Sequence, residues 1–421
     1  MNKRTLLATC SLLLAQTGQA VEFEASGYVG FEWREYLEEG QFDTDSVTQA
    51  DRQYGVVAEP EFVWSLAEGE HTIVFKPFGR VDSADPERTH GDIRELSWLT
   101  YGDDWELTAG ISKVYWGVTE SQHLVDVVNQ TDFVESPDGE DKLGQPMVKL
   151  SLIRDWGTVD GFVLPGFRER TFSGEDGRFR PALVIDTDNA QYEAGEEESH
   201  VDYALRWSHT LEDYDVGLSW FNGTSRDPLL LGTDFVVDPS TGPIPTKLAP
   251  YYAQINQFGA DIQATIDSWL WKFEAIYRSY NESLIEEFDQ LGQPIEDYSA
   301  ATGGFEYTYY SPFDTNWDIG VLTEYQYDSR EDKRLVIGQN DVFMGSRIEF
   351  NDAASSALLV GFTQDLDSSG TQSVIMELST RLGDSVKFNV DMFLPMSEDE
   401  TNISSQFKRD DYVQLGFNYY Y

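Results

Sequence analysis

The chemistry this chain could carry is concentrated in two short segments of opposite sign. Residues 114–146 hold Glu120, His123, Asp126, Asp132, Glu135, Asp138, Glu140 and Asp141 against a single Lys142. Carboxylates at that density attract cations when they line a confined aqueous passage. Within the segment, Leu124, Val125, Val127 and Val128 form an apolar patch. The patch is expected to pack one turn of helix against a wall of the fold and to hold Asp126 away from bulk water. The second segment, GFRERTFSGEDGRFRP at 166–181, gathers Arg168, Arg170, Arg178 and Arg180 in a chain short of positive charge. Guanidinium forks recognise carboxylate and phosphate, and arginines facing carboxylates across a passage create a transverse field that orients polar solutes. Both segments also have a plainer reading. The acids are then a solvated outer loop, and the arginines brace a loop by pairing with Glu169, Glu175 and Asp176.

Other chemistries find less support. The five histidines, His71, His90, His123, His200 and His209, sit in no recognisable hydrolase motif, and GDS at Gly383 to Ser385 reads as a turn. A nucleophile and base need only meet in space, so a catalytic pair stays an alternative. DTDSVTQAD and DTDNAQYE are similar to calcium loops but lack the glycine and terminal glutamate of EF-hand spacing. Neither a glycine-rich phosphate loop nor a Cys/His ligand set is present, so no metal, nucleotide or redox cofactor is implied.

The first residues indicate export. MNKR is basic, TLLATCSLLLA is apolar and TGQA ends in a small-residue cleavage site, so residues 1–20 read as a signal peptide cut after Ala20. The single cysteine, Cys10, falls inside it, and a lipoprotein reading is disfavoured by bulky Thr9 and the short apolar stretch before it. Loss of Lys3 and Arg4 leaves 27 basic against 75 acidic residues, a net charge of −48. Such a surface excludes nucleic acid as a partner. No run of 18 apolar residues follows the signal. Aromatic residues at 14% argue for an ordered core despite the charge.

The elements that must position these residues are strands. VEFEASGYVGFEW at 21–33 puts Val21, Phe23, Ala25, Val29, Phe31 and Trp33 on one face and Glu22, Glu24, Ser26 and Glu32 on the other. The pattern repeats in segments near 21–37, 53–66, 71–82, 93–102, 105–113, 147–154, 158–165, 200–209 and 214–222. It continues near 254–266, 269–280, 298–310, 316–328, 341–350, 356–365, 372–382, 386–395 and 411–421. Short turns such as 67–70, 103–104 and 383–385 alternate with mostly longer loops such as 38–52, 114–146, 166–199 and 223–253. A soluble sandwich has no reason to sort its loops in this way. The fold class expected is all-β: a closed antiparallel transmembrane β-barrel of eighteen strands, with sixteen the next count.

The last residues carry a family resemblance. Tyr421, Tyr419, Phe417, Leu415 and Val413 form an alternating apolar row that ends on an aromatic residue. This resembles the C-terminal signal of Gram-negative outer-membrane β-barrel proteins, which the barrel assembly machinery reads; Tyr in place of the commoner terminal Phe is a departure. Strand count and size resemble porins, and WGVTESQHLVDVVNQTDFVE at 116–135 resembles a stretch of large proteobacterial outer-membrane proteins. The resemblance implies a single barrel domain over 21–421 in the outer membrane, among lipids and lipopolysaccharide whose phosphates the arginines could touch. It implies a porin-like channel for passive or facilitated diffusion of small hydrophilic solutes, cation-preferring here, and a possible homotrimer. It also makes 114–146, the third long loop, the candidate constriction folded into the lumen. The alternatives are a non-transport envelope scaffold and a rim-site lipid hydrolase.

Overall fold

The computed structural model describes residues 21–43, 47–240, 242–330 and 336–421; the expected signal peptide, with Cys10, lies outside them. Eighteen strands follow the expected order. They are β1 Val21–Tyr36, β2 Arg52–Leu66, β3 His71–Asp82, β4 Gly91–Tyr101, β5 Trp105–Ser112 and β6 Gln145–Arg154. Next come β7 Gly157–Pro165, β8 Val201–Leu211, β9 Tyr214–Thr224, β10 Gln254–Ile266, β11 Trp269–Tyr280 and β12 Tyr298–Tyr310. The last six are β13 Asp318–Asp328, β14 Asn340–Glu349, β15 Ala357–Asp365, β16 Gln372–Leu382, β17 Val386–Met396 and β18 Tyr412–Tyr420. Each pairs antiparallel with the next in one 18-stranded sheet.

The sheet closes on itself. β1 and β18 pair antiparallel from Tyr28 opposite Tyr420 to Tyr36 opposite Tyr412. The Tyr421 N–H donates to the Gly27 carbonyl at 3.1 Å. Closure satisfies the edge N–H and C=O groups, which hydrocarbon would leave unpaired.

Strand parity gives the barrel two faces. Phe23, Phe31, Trp33, Val148, Leu150, Leu205, Trp271, Phe273, Val321 and Phe417 are exposed on the outside, although they are apolar. An apolar band that runs from strand to strand suits lipid and is far larger than a soluble surface tolerates. Val413, Leu415, Phe417 and Tyr419 share this outward face, in register with Met392, Val390, Phe388 and Val386.

The loops contain structure that alternation did not signal. Gln191–Tyr192, Lys247–Tyr252 and Leu229–Thr233 form a small three-stranded sheet, and Val236–Asp238 pairs with Gly242–Ile244. Helix α1, Glu282–Gln290, buries Leu284 and Phe288 against Leu229, Leu231 and Tyr251. Its Leu284/Phe288 spacing is the i, i+4 signal of one apolar helix face.

Candidate functional site

The connection between β5 and β6 runs from 113 to 144 and turns into the barrel. The reason is an apolar patch on the inner wall. Met147, Phe162, Leu164, Ala204, Phe221, Ile255, Ile276, Tyr298 and Ala300 occupy inward positions from β6 to β12, and they enclose Trp116, Val125, Val127 and Val128. Val125 and Val128 are fully buried. Side chains of this kind contribute about 1.5–3 kcal/mol each when removed from water. The expected helical turn is instead a single non-helical turn, with Asp126 N–H donating to His123 O at 3.3 Å. Two glycines allow the close approach. A Cβ on Gly259 would sit 3.1 Å from Val125 Cγ1, and one on Gly117, whose φ is +134°, would sit 3.0 Å from Glu274 Oε1.

Two inward carboxylates hold the loop on the far wall. Glu274 Oε1 on β11 accepts from Val118 N–H at 2.6 Å, Thr119 N–H at 3.0 Å and Thr119 Oγ1 at 2.8 Å. Its Oε2 accepts from Val125 N–H at 3.2 Å. Glu324 Oε2 on β13 accepts from Ser121 N–H at 2.8 Å and Ser121 Oγ at 2.6 Å, and its Oε1 from Glu120 N–H at 2.9 Å. Backbone donors thereby satisfy two buried carboxylates, as a buried charge requires.

The sequence-selected acids of this loop are mostly engaged. Glu120 pairs with Arg347 at 2.6 Å and Lys272 at 3.6 Å. His123 Nε2 lies 2.9 Å from Glu140 Oε1. Burial alone would lower the His123 pKa, but the Glu140 hydrogen bond and charge raise it overall. Asp126, with Lys142 3.5 Å away, is pushed up to about 6 by burial. Asp132 is buried against Arg94 at 2.6 Å, His90 at 3.4 Å and Thr171 Oγ1 at 2.7 Å. Burial opposes its charge, yet His90 and Arg94 bring it down to about 2. Beside it, Glu135 pairs with Arg80 at 2.7 Å, and Arg80 also binds Glu32 at 2.6 Å. The loop is therefore held on one side through its carboxylates and on the other through its N–H groups.

The four arginines of 166–181 do not form one cluster. Arg168 binds Asp92 at 2.8 Å and the Gly144 carbonyl at 2.9 Å. Arg170 binds Asp227 at 2.7 Å. Arg178 packs over Tyr36 and binds Asp410 at 2.9 Å, while Arg180 lies over Phe42 and donates to the carbonyls of Glu175, Pro181 and Ala182. Their acidic partners are remote in sequence. Glu169, the nearest acidic neighbour, instead accepts from the Tyr192 hydroxyl.

A different set of acids stays without counter-ions. Asp138 and Asp141 at the loop's far end, Glu377 on β16 and Asp391 on β17 enter no ion pair among the described residues. Asp138 lies within electrostatic reach of both Glu377 and Tyr412. The loop end therefore faces the wall sector opposite the apolar patch.

No protein-family model matches the sequence, and no curated protein matches it significantly. Solved structures do match in shape. Acinetobacter baumannii OccAB3 aligns over 95% of this chain and 99% of its own, with a TM-score of 0.52 at 10% identity. Pseudomonas aeruginosa OccK3 (OpdO) aligns over 95% and 96%, with a TM-score of 0.51 at 8% identity. A double mutant of the Rh. blastica porin covers 95% and 100%, with a TM-score of 0.44 at 11% identity. With its closed ring of eighteen antiparallel strands and its apolar outer face, the chain shares the transmembrane β-barrel fold of OccAB3 and OccK3.

Proposed function

We propose that this barrel is an outer-membrane channel for passive or facilitated diffusion of small hydrophilic solutes, with a preference for cations, and that loop 113–144 forms its constriction. The supporting observation is how charge is divided between the two sides of the loop. Every carboxylate that anchors the loop is met by arginine, lysine, histidine or backbone N–H. Asp138, Asp141, Glu377 and Asp391, on the side away from the apolar patch, are not ion-paired among the described residues. Acids without counter-ions around a narrow aqueous gap raise the local cation concentration. The apolar, lipid-suited outer face of the strands supports an outer-membrane location.

Single-channel recording of the refolded protein in a planar bilayer under a potassium chloride gradient tests this directly. Stable conductance steps with a cation-selective reversal potential are expected. An anion-selective reversal potential would overturn the charge reading. A second reading is favoured by the apolar packing that seals the lumen from β6 to β12: a plugged barrel serving as an envelope scaffold. Folded protein that inserts and passes no current would select it.

A further inference from the structure

The hydrogen-bonded wall of the barrel is interrupted between β2 and β3. Pairing runs from Gly55 opposite Asp82 to Ala58 opposite Gly79, lapses over 59–61 and 76–78, and resumes at Phe62 opposite Phe75. The register on either side places Pro60 directly opposite Pro77. A hydrogen-bonded pair exchanges two N–H···O=C bonds, and proline has no N–H, so both bonds of this pair are missing. Among the described residues, no other pair of neighbouring wall strands has such a gap. Proline in sheets is confined to edge strands, first positions and bulges. Pro77 meets that rule through a register shift against β4 between Lys76 and Pro77, which loosens the wall on its other side as well. Pro60 does not meet it. It is the ninth of fifteen residues in β2, and Pro77 the seventh of twelve in β3, so the gap lies in the middle of the span.

The two faces of the gap differ. Outward, Gly27 on β1 lies opposite Pro60, where a Cβ would sit 2.5 Å from Glu59 O, and a Cβ on Gly79 would meet nothing within 4 Å. The lipid side is thus a shallow trough of short side chains, bordered by the stacked rings of Phe62 and Phe75, 6.1 Å apart. Inward, Glu61 and Lys76 face each other across the gap and bind at 2.5 Å, both partly exposed to the lumen. Lys113, where loop 113–144 begins, is within electrostatic reach of Glu59, Lys76 and Asp141, so the gap borders the acidic side of the passage.

Hydrocarbon offers no donor to the carbonyls that the prolines leave unpaired. Their partners must come from the lumen, as water, or from a molecule in transit. In place of the ladder, one ion pair bridges the strands, and an ion pair that reaches water exchanges at little cost. We propose that the gap between Pro60 and Pro77 is a lateral window in the barrel, through which amphiphiles with a hydrogen-bond-donating head and an apolar chain pass between lumen and membrane. The head donates to the unpaired carbonyls as it crosses, and the chain lies in the trough beside Phe62 and Phe75. The window depends on the barrel alone and requires neither ion conduction nor cation preference.

Photolabelling of the full chain in phosphatidylcholine nanodiscs tests this, with a decanol analogue that carries a diazirine beside its hydroxyl. Glu59 and Glu61 point inward at the gap, and Glu377 points inward on β16, whose pairing is unbroken. Labels mapped by mass spectrometry are expected on Glu59 and Glu61 well above the level on Glu377. Pro60→Val/Pro77→Val returns an N–H to each facing carbonyl and should bring Glu59 and Glu61 down to the Glu377 level, with heat-modifiable gel mobility checking that the variant folds. In the unmodified protein, equal labelling of the three glutamates would overturn the proposal whatever the variant does. So would labelling of Glu59 and Glu61 that persists in the folded variant, since the probe would then have entered through the mouth of the barrel.

Discussion

Arg347 Nη2 lies 2.6 Å from Glu120 Oε1. Glu120 belongs to the loop that leaves β5, and Arg347 belongs to β14, the ninth strand further on in a ring of eighteen. The ion pair therefore joins opposite walls of the barrel. Wall charges decide where the crossing runs, and apolar packing decides which side of the crossing is sealed.

If backbone donation to wall carboxylates holds the crossing, removing the acceptors should free the loop. In Glu274→Ala/Glu324→Ala, seven donors lose their partners; each such bond to a carboxylate contributes about 1.5–3 kcal/mol. The expected result is a larger and noisier single-channel conductance with an unchanged barrel by circular dichroism. Conductance equal to that of the unmodified protein would show that the apolar packing alone fixes the loop.

The two sets of acids should behave differently. Neutralising Asp138, Asp141, Glu377 and Asp391 together should move the reversal potential toward zero, because these carboxylates have no ion-pair partner among the described residues. Neutralising Glu120 alone should change it little and in the same direction, since Arg347 and Lys272 already offset its charge. Reversal potentials in a fixed salt gradient separate the two sets.

The barrel was legible in the sequence because the period-2 pattern repeats on every strand, and lipid leaves no substitute for it. All eighteen expected strands overlap observed ones, to within a few residues at each end. The loop's partners were less legible. Charge counting picked Glu120, Asp126 and Asp132 as groups facing a passage, but their counter-ions come from β14, Lys142 and β4, and pairing across a ring leaves no trace in local spacing. A usable signal was nevertheless present. Met147, Phe162, Leu164, Phe221, Ile255 and Ile276 break the apolar-out rule by placing hydrophobic side chains on the polar face. Six such breaks on β6, β7, β9, β10 and β11 mark where something apolar must pack inside. Arg178 and Arg180 were drawn into one cluster with Arg168 and Arg170 by sequence proximity alone; the chain carries them apart to Tyr36 and Phe42.

Asp132 should matter to stability. Its carboxylate is buried against Arg94, and breaking such a pair from one side costs about 3–5 kcal/mol. Asp132→Ala should lower the urea midpoint of the refolded barrel accordingly. The folded-state pKa of about 2 lies below the ordinary 3.8, so this stabilisation is present above pH 4 and fades as pH falls toward 2. A urea midpoint equal in the variant and the unmodified protein at pH 7 would remove Asp132 from the anchoring network.

Asp141 has the opposite sign and should tune selectivity near neutrality. The surrounding protein disfavours its charge, with Glu135 and Asp138 adding repulsion and Arg94 and Lys113 opposing it, so its pKa is pushed up to about 6. Asp126 is likewise raised to about 6 by burial. A carboxyl raised in the folded state is charged above that value and neutral below it, so protonation relieves the fold as pH drops from 7 toward 4. The same protonation removes negative charge from the passage. Cation preference should therefore decline between pH 7 and pH 5, with its steepest change close to 6. Asp141→Asn should flatten most of that decline by holding the high-pH cation preference near its low-pH level, whereas Asp126→Asn, whose side chain is shielded from water, should leave the profile in place. Reversal potentials at half-unit pH steps distinguish the two variants. A profile that stays flat in the unmodified protein would mean that Asp141 lies away from the ion path.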